Sequence, residues 1–76
     1  MTSLPSVNAA RLIRALQRAG FYVHHATGSH YVLKHPERPA TRIVVPHHGS
    51  VDVKRGILRS ILRQAELTAD DLMKLL

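Results

Sequence analysis

Cysteine and tryptophan are absent from this chain of 76 residues, and it holds one phenylalanine and two tyrosines. The lack of cysteine excludes disulfides, thiolate metal centres and thiol nucleophiles together. With so few aromatic rings the core must be aliphatic, and a chain this short buries a thin one. Nowhere do about 18 apolar residues run together, and the opening MTSLPSVNAARLIRAL lacks the order of a signal peptide. A soluble protein is expected, and a cytoplasmic one, because an extracellular domain of this size usually needs staples. Acidic residues are also scarce. Five Asp and Glu face eleven Lys and Arg, a formal charge of +6 before six histidines are counted. That excess suits a polyanionic partner, either nucleic acid or an acidic protein, although a merely solvated basic surface would share it.

The chain reads as one domain over residues 1–76 with a short leader, 1–7, in which Pro5 opposes an early helix. Asn8 is placed to cap a first helix running to Ala19, with Val7 and Leu12 forming a hydrophobic staple across the cap. Leu12, Ile13, Leu16 and Ala19 share one stripe of it, and Arg11, Arg14 and Arg18 point elsewhere. Gly20 suits the left-handed position that ends a helix, with Phe21 folding back on Leu16.

The period then changes to that of strands. Residues 21–26 form the first, Thr27-Gly28-Ser29 a turn, and residues 30–34 the return. Pro36 to Pro39 reads as a second turn, its prolines unsuited to a strand interior, and residues 41–45 as a third strand stopped by Pro46. Ser50 is placed to cap a second helix, with Asp52 in its first turn and Val53, Ile57, Leu58, Ile61, Leu62 and Ala65 on its apolar face. Gly56 would then lie inside that helix at a cost of about 1 kcal/mol, which close approach to the sheet would explain. Thr68 to Asp71 resembles a capping box that opens a short last helix. The expected fold is α+β, with two helices on one face of a three-stranded antiparallel sheet and the other face free.

His30 follows a tight turn and begins a strand, where an imidazole is exposed and backbone amides are near to meet a phosphate oxygen. Histidine suits proton transfer near neutrality, and RNA carries its own nucleophile in the 2′-hydroxyl. A lone histidine at a strand start is more often a structural or merely exposed residue. His24-His25 and His47-His48 are adjacent pairs, and neighbours on a strand face opposite ways, so each pair would give at most one ligand to a common site. Zinc held by His25, His30 and His48 is the alternative weighed, and nothing in the spacing supports it; no metal and no cofactor are expected. Basic residues come from every element, which suits backbone contact with RNA. Gly28, Lys34, Arg42, Lys54 and Arg55 are the expected contacts. Tyr22 and Tyr31 are the rings able to stack on a base, and Tyr31 equally suits the core.

Gly20-Phe21, Gly28-Ser29-His30, Val45-Pro46-His47-His48 and the run Lys54 to Leu62 resemble, in order and spacing, the HicA (YcfA-like) toxin family. The resemblance covers residues 8–72. It implies a double-stranded-RNA-binding-like α-β-β-β-α fold with a short C-terminal helix, and metal-independent cleavage of mRNA. It implies His30 as the catalytic residue, with Ser29 beside it in the same motif. His48 is a second candidate, on the substrate side or holding the strand end. A HicB-type antitoxin is the implied protein partner, and no membrane is involved. Relatives commonly carry basic residues where His25 and Thr27 stand, and Thr where Ile57 stands. Two other readings keep the basic surface without catalysis: an RNA-binding module on this fold, and an interaction protein for an acidic partner.

Overall fold

Residues 3–76 are described by a computed structural model. Helix α1 spans Ala9–Arg18 and begins where the Asn8 side chain accepts the Arg11 N–H at 2.9 Å. Its end is a Schellman motif, with the Phe21 N–H donating to the Leu16 carbonyl, the Gly20 N–H to that of Gln17, and Gly20 at φ 102°. Strands β1 (Tyr22–Ala26), β2 (His30–His35) and β3 (Arg38–Pro46) form an antiparallel sheet in that order. Helix α2 spans Arg55–Ala65 and α3 spans Ala69–Leu75. This is the α-β-β-β-α order of the double-stranded-RNA-binding-like fold with a short helix appended. The expected capping box at α3 is present, Thr68 and Asp71 each accepting the other's backbone N–H.

The core is aliphatic. Leu12 and Leu16 of α1, Leu33 of β2, Ile43 of β3, Leu58 of α2 and Leu72 of α3 are all buried in one cluster. Because Leu33, Ile43 and Val45 belong to this cluster, the helices lie on their side of the sheet. Residues of opposite parity, His30, Val32 and Lys34 among them, form the other face.

Four local features differ from the sequence reading. The turn before β3 is only Pro36-Glu37, and Pro39 lies within β3. An edge strand accepts proline, and the β2–β3 register slips between Leu33 and His35, so this stretch is not regularly paired. Helix α2 starts at Arg55 rather than after Ser50, and its cap position, Lys54, makes no side-chain capping bond. Residues before it are held by the leader instead: the Val53 N–H donates to the Val7 carbonyl at 2.8 Å, and Asp52 bridges to Asn8. Residues 1–2 of that leader lie outside the described part. Gly56 is therefore at the start of α2, with nothing within 4 Å of where a Cβ would stand, so no close approach to the sheet explains it. Ile57, expected on the apolar face, is 38% exposed.

The fourth difference matters most for function. The β1–β2 register shifts between Val23 and His25, so β1 carries a bulge at His24. At a bulge two residues oppose one on the partner strand, and strict alternation fails. His24 and His25, expected on opposite faces, stand side by side with Nδ1 to Nδ1 at 2.8 Å and ring centroids 5.1 Å apart.

Candidate nucleic-acid interface and active site

The β1–β2 hairpin brings Gly28, Ser29 and His30 to one end of the sheet. The Thr27 N–H donates to the His30 carbonyl at 2.9 Å, which closes the turn. His30 opens β2 with its ring exposed, and the Ser29 hydroxyl lies 3.1 Å from its Nδ1. One ring nitrogen is thus held from below and the other is left for an incoming group. The next segment locks the same turn from outside, because the His47 N–H donates to the Ser29 carbonyl at 2.8 Å. Pro46 is the register partner of His30 across the sheet. Gly28 is exposed with open space about its Cα, so backbone there is accessible to a ligand.

His48 follows Pro46 by two residues. It lines a cleft of about 180 Å³ with Pro46, Asp52, Lys54 and Ile57. Lys54 and Arg55 are exposed at the start of α2, where the first-turn N–H groups have no side-chain cap. Such amides, at the positive end of the helix dipole, favour an anion. The structure thus divides the sequence-predicted residues into a turn group (Gly28, Ser29, His30) and a cleft group (His48, Lys54), with Pro46 common to both and Arg55 next to Lys54 at the start of α2. Lys34 is half-exposed further along β2 on the His30 face. Arg42 is exposed on β3 beside Ala40, Thr41 and Gln64.

Four basic residues, Arg38 and Arg11, Arg14 and Arg18 of α1, drop out of this surface. Arg38 is bound within the fold: its Nη1 donates to the Ala65 carbonyl at 3.0 Å and to Glu66 Oε2 at 3.1 Å, and its guanidinium sits 5.5 Å over the Phe21 ring. Arg14 and Arg18 belong to α1, on the opposite side of the sheet, where they flank a depression with Arg11 and Leu76. Arg18 there donates to the Leu75 carbonyl at 2.7 Å. Tyr31 is half-buried against the core and tilted over His47 at 5.2 Å, leaving Tyr22 as the exposed tyrosine.

Sequence reasoning missed His35. It is buried, packs edge-on against Phe21 at 4.9 Å and accepts the Glu37 N–H on Nδ1. The signal available was its place two residues after Leu33, on the core side of β2. Among the described residues no three His, Asp or Glu side chains gather as a metal site. His25 and His30 share a face and His48 lies in the cleft.

The electrostatics follow from where the acids are. The five acidic residues all lie outside the three strands and the β1–β2 turn, so nothing of negative charge is built into the sheet. Asp71 is the carboxylate held below the ordinary range, chiefly by the Thr68 backbone N–H and then by the Thr68 side chain, far from His30 in sequence and on a helix end. Among the described residues no helix is long and apolar enough to cross a membrane.

No curated protein matches the chain significantly. The family model described as the HicA toxin of bacterial toxin-antitoxin systems matches residues 9–67, from the first residue of α1 to just beyond α2, and the chain belongs to that family.

Proposed function

We propose that this member of the HicA toxin family is an endoribonuclease that cleaves mRNA, with His30 as general acid or base. The observation that carries the reading is His30 itself: an exposed imidazole at a hairpin end, held at Nδ1 by Ser29, on a sheet free of carboxylates. The 2′-hydroxyl of RNA attacks the adjacent phosphorus, and an imidazole moves the proton that this step releases or the leaving oxygen requires. Gly28 backbone at the turn, Lys34 and Arg42 on the sheet, and Lys54 and Arg55 at the open end of α2 hold the phosphate backbone by charge. His48, lining the cleft beside Pro46 and Lys54, takes the substrate-side role in this reading. The natural partner is a HicB-type antitoxin, and the compartment is the cytoplasm.

The test is cleavage of an RNA oligonucleotide by purified chain and by His30→Ala. An exposed side chain costs little stability when truncated, so the variant should keep the circular dichroism spectrum and lose cleavage and growth inhibition. A folded His30→Ala protein that still cleaves would overturn the reading. RNA binding without cleavage by the unaltered chain would favour the non-catalytic module instead.

A further inference from the structure

We infer that His25, held by His24 at the β1 bulge, is the second proton-transfer group of the cleavage site. The inference rests on the reading of His30 above, because breaking an RNA phosphodiester by 2′-hydroxyl attack needs two proton movements. The 2′-oxygen forms a bond to phosphorus and loses its proton to one imidazole. The bond from phosphorus to the 5′-oxygen breaks, and that oxygen takes a proton from the other imidazole, which was protonated beforehand. The products are a 2′,3′-cyclic phosphate and a 5′-hydroxyl. Electrons and protons balance with no further reactant. One histidine cannot stand on both sides of the same phosphorus at once.

Register identifies the second group. His25 pairs with Val32, which lies two residues along β2 from His30 on the same face. His25 and His30 are therefore diagonal neighbours on adjacent antiparallel strands, a relationship that sets residues roughly 7–8 Å apart, with Cβ atoms somewhat closer. That separation lets two rings reach oxygens of one phosphodiester without touching each other. The register neighbours of His30 on β2 and β3 cannot serve. Pro46 lies opposite it, Val32 and Val44 lie next along β2 and β3, and none carries an ionisable group.

The bulge supplies the second observation. In a regular strand His24 and His25 would point to opposite faces, whereas here their Nδ1 atoms lie 2.8 Å apart. In such a pair one Nδ1 donates and the other accepts, so the tautomers are fixed in opposite senses. One ring then has a bare Nε2, able to take a proton, and the other presents Nε2–H. Both rings are exposed, so the hydrogen bond serves no core. His24 is a positioning residue, orienting His25 as Ser29 orients His30.

The charged and titratable groups facing His25 are His24 and Tyr22 on β1 and His30 and Lys34 on β2. Across the sheet β3 offers Val44 and Pro46, with Arg42 exposed beyond. A pH profile of kcat/KM on an RNA oligonucleotide, measured with the full chain, therefore reads the pair. Unaltered protein should give a bell with two limbs. His25→Gln should lose on the order of a hundredfold in kcat and one limb of the bell, with KM little changed. His25→Lys keeps a positive charge but not a group that exchanges protons near neutrality, so it should fail equally. His24→Ala should lose less and displace the limb that His25→Gln removes. His30→Ala in the same assay separates the two ideas. If it still cleaves, the assignment of His30 itself falls. If it is dead while His25→Gln keeps kcat and both limbs, only the present inference is overturned. Rescue of rate by His25→Lys, or a change confined to KM, would also overturn it, by making His25 a phosphate contact.

Discussion

His35 lies over Gly20 so closely that a Cβ on the glycine would stand 2.6 Å from the imidazole Nε2. The backbone there is left-handed, at φ 102°, because it closes the Schellman motif of α1. Sequence pattern accounts for the turn, and the packing of a buried ring accounts for why nothing larger fits. The same contact carries β2 against the end of α1, so it helps fix the strand whose other end is His30.

Gly20→Ala should therefore cost more than backbone strain alone. Gly49 is the natural control, being left-handed at φ 61° with open space around it. Gly49→Ala should lose about 1 kcal/mol. Gly20→Ala adds a clash and should lose clearly more, read as a lower urea midpoint with an unchanged m value. Equal losses would mean that His35 moves aside freely.

Arg38 is expected to matter for stability rather than for RNA. Its bond to the Ala65 carbonyl satisfies an end of α2, and its plane covers Phe21. Arg38→Ala should cost about 1–2 kcal/mol, as the loss of a partly buried charge-assisted hydrogen bond does. Glu66→Gln should cost less than 1 kcal/mol, because the Glu66 side chain is 72% exposed and its ion pair is screened. RNA affinity should be unchanged in Glu66→Gln. The reverse order of stabilities would show that the ion pair, not the carbonyl bond, holds this corner.

The termini of α1 and α3 were legible because their signals are local. Asn8, Gly20 and the Thr68–Asp71 box each act within a few residues, and each does what its spacing predicts. The start of α2 was not legible for a matching reason. Ser50 and Asp52 look like a cap, but the Val7 carbonyl, far away in sequence, takes the Val53 N–H and keeps that stretch extended. His30 was legible from the turn before it. The His24–His25 pair was not, because alternation assumes a regular ladder and a one-residue bulge leaves no mark in the sequence of β1.

Stability should fall in acid partly through Asp71. Its carboxyl is held below the usual carboxylate range by the Thr68 N–H, so the folded state favours the charged form. The stabilisation is present above the ordinary carboxylate value and is lost as pH falls through the lower, folded one. Asp71→Asn should lower the melting temperature near neutral pH and flatten its decline below about pH 4. A decline identical in slope to that of the unaltered chain would place the acid sensitivity elsewhere.

RNA affinity should depend on fewer cations than the composition offers. Arg38 is occupied, and Arg11, Arg14 and Arg18 lie on α1 across the sheet from His30. The cations proposed to hold RNA are Lys34, Arg42, Lys54 and Arg55. Four phosphate contacts on a single strand would give a slope of log affinity against log salt of roughly −3. Lys34→Ala should flatten it by about 0.7, and Arg14→Ala should leave it unchanged. A slope more than twice as steep, weakened by Arg14→Ala, would show that RNA wraps α1 as well.

Inhibition by a HicB-type antitoxin should work by covering the His30 face. The sheet carries no carboxylate of its own, His30 and the His24–His25 pair stand exposed on it, and the chain holds a net +6. An acidic partner laid there would take the cations that RNA needs and close the imidazoles to substrate in one step. Competition tests this on the His30→Ala protein, which should bind RNA without cutting it. Antitoxin and RNA should then exclude one another, and Lys34→Ala should weaken both. Because Arg14 lies on the helix-covered side, Arg14→Ala should weaken neither. A ternary complex with RNA still protecting the β1–β2 turn would sink the masking idea. Inhibition would then have to act through the helices, whose packing sets the position of β2 from behind.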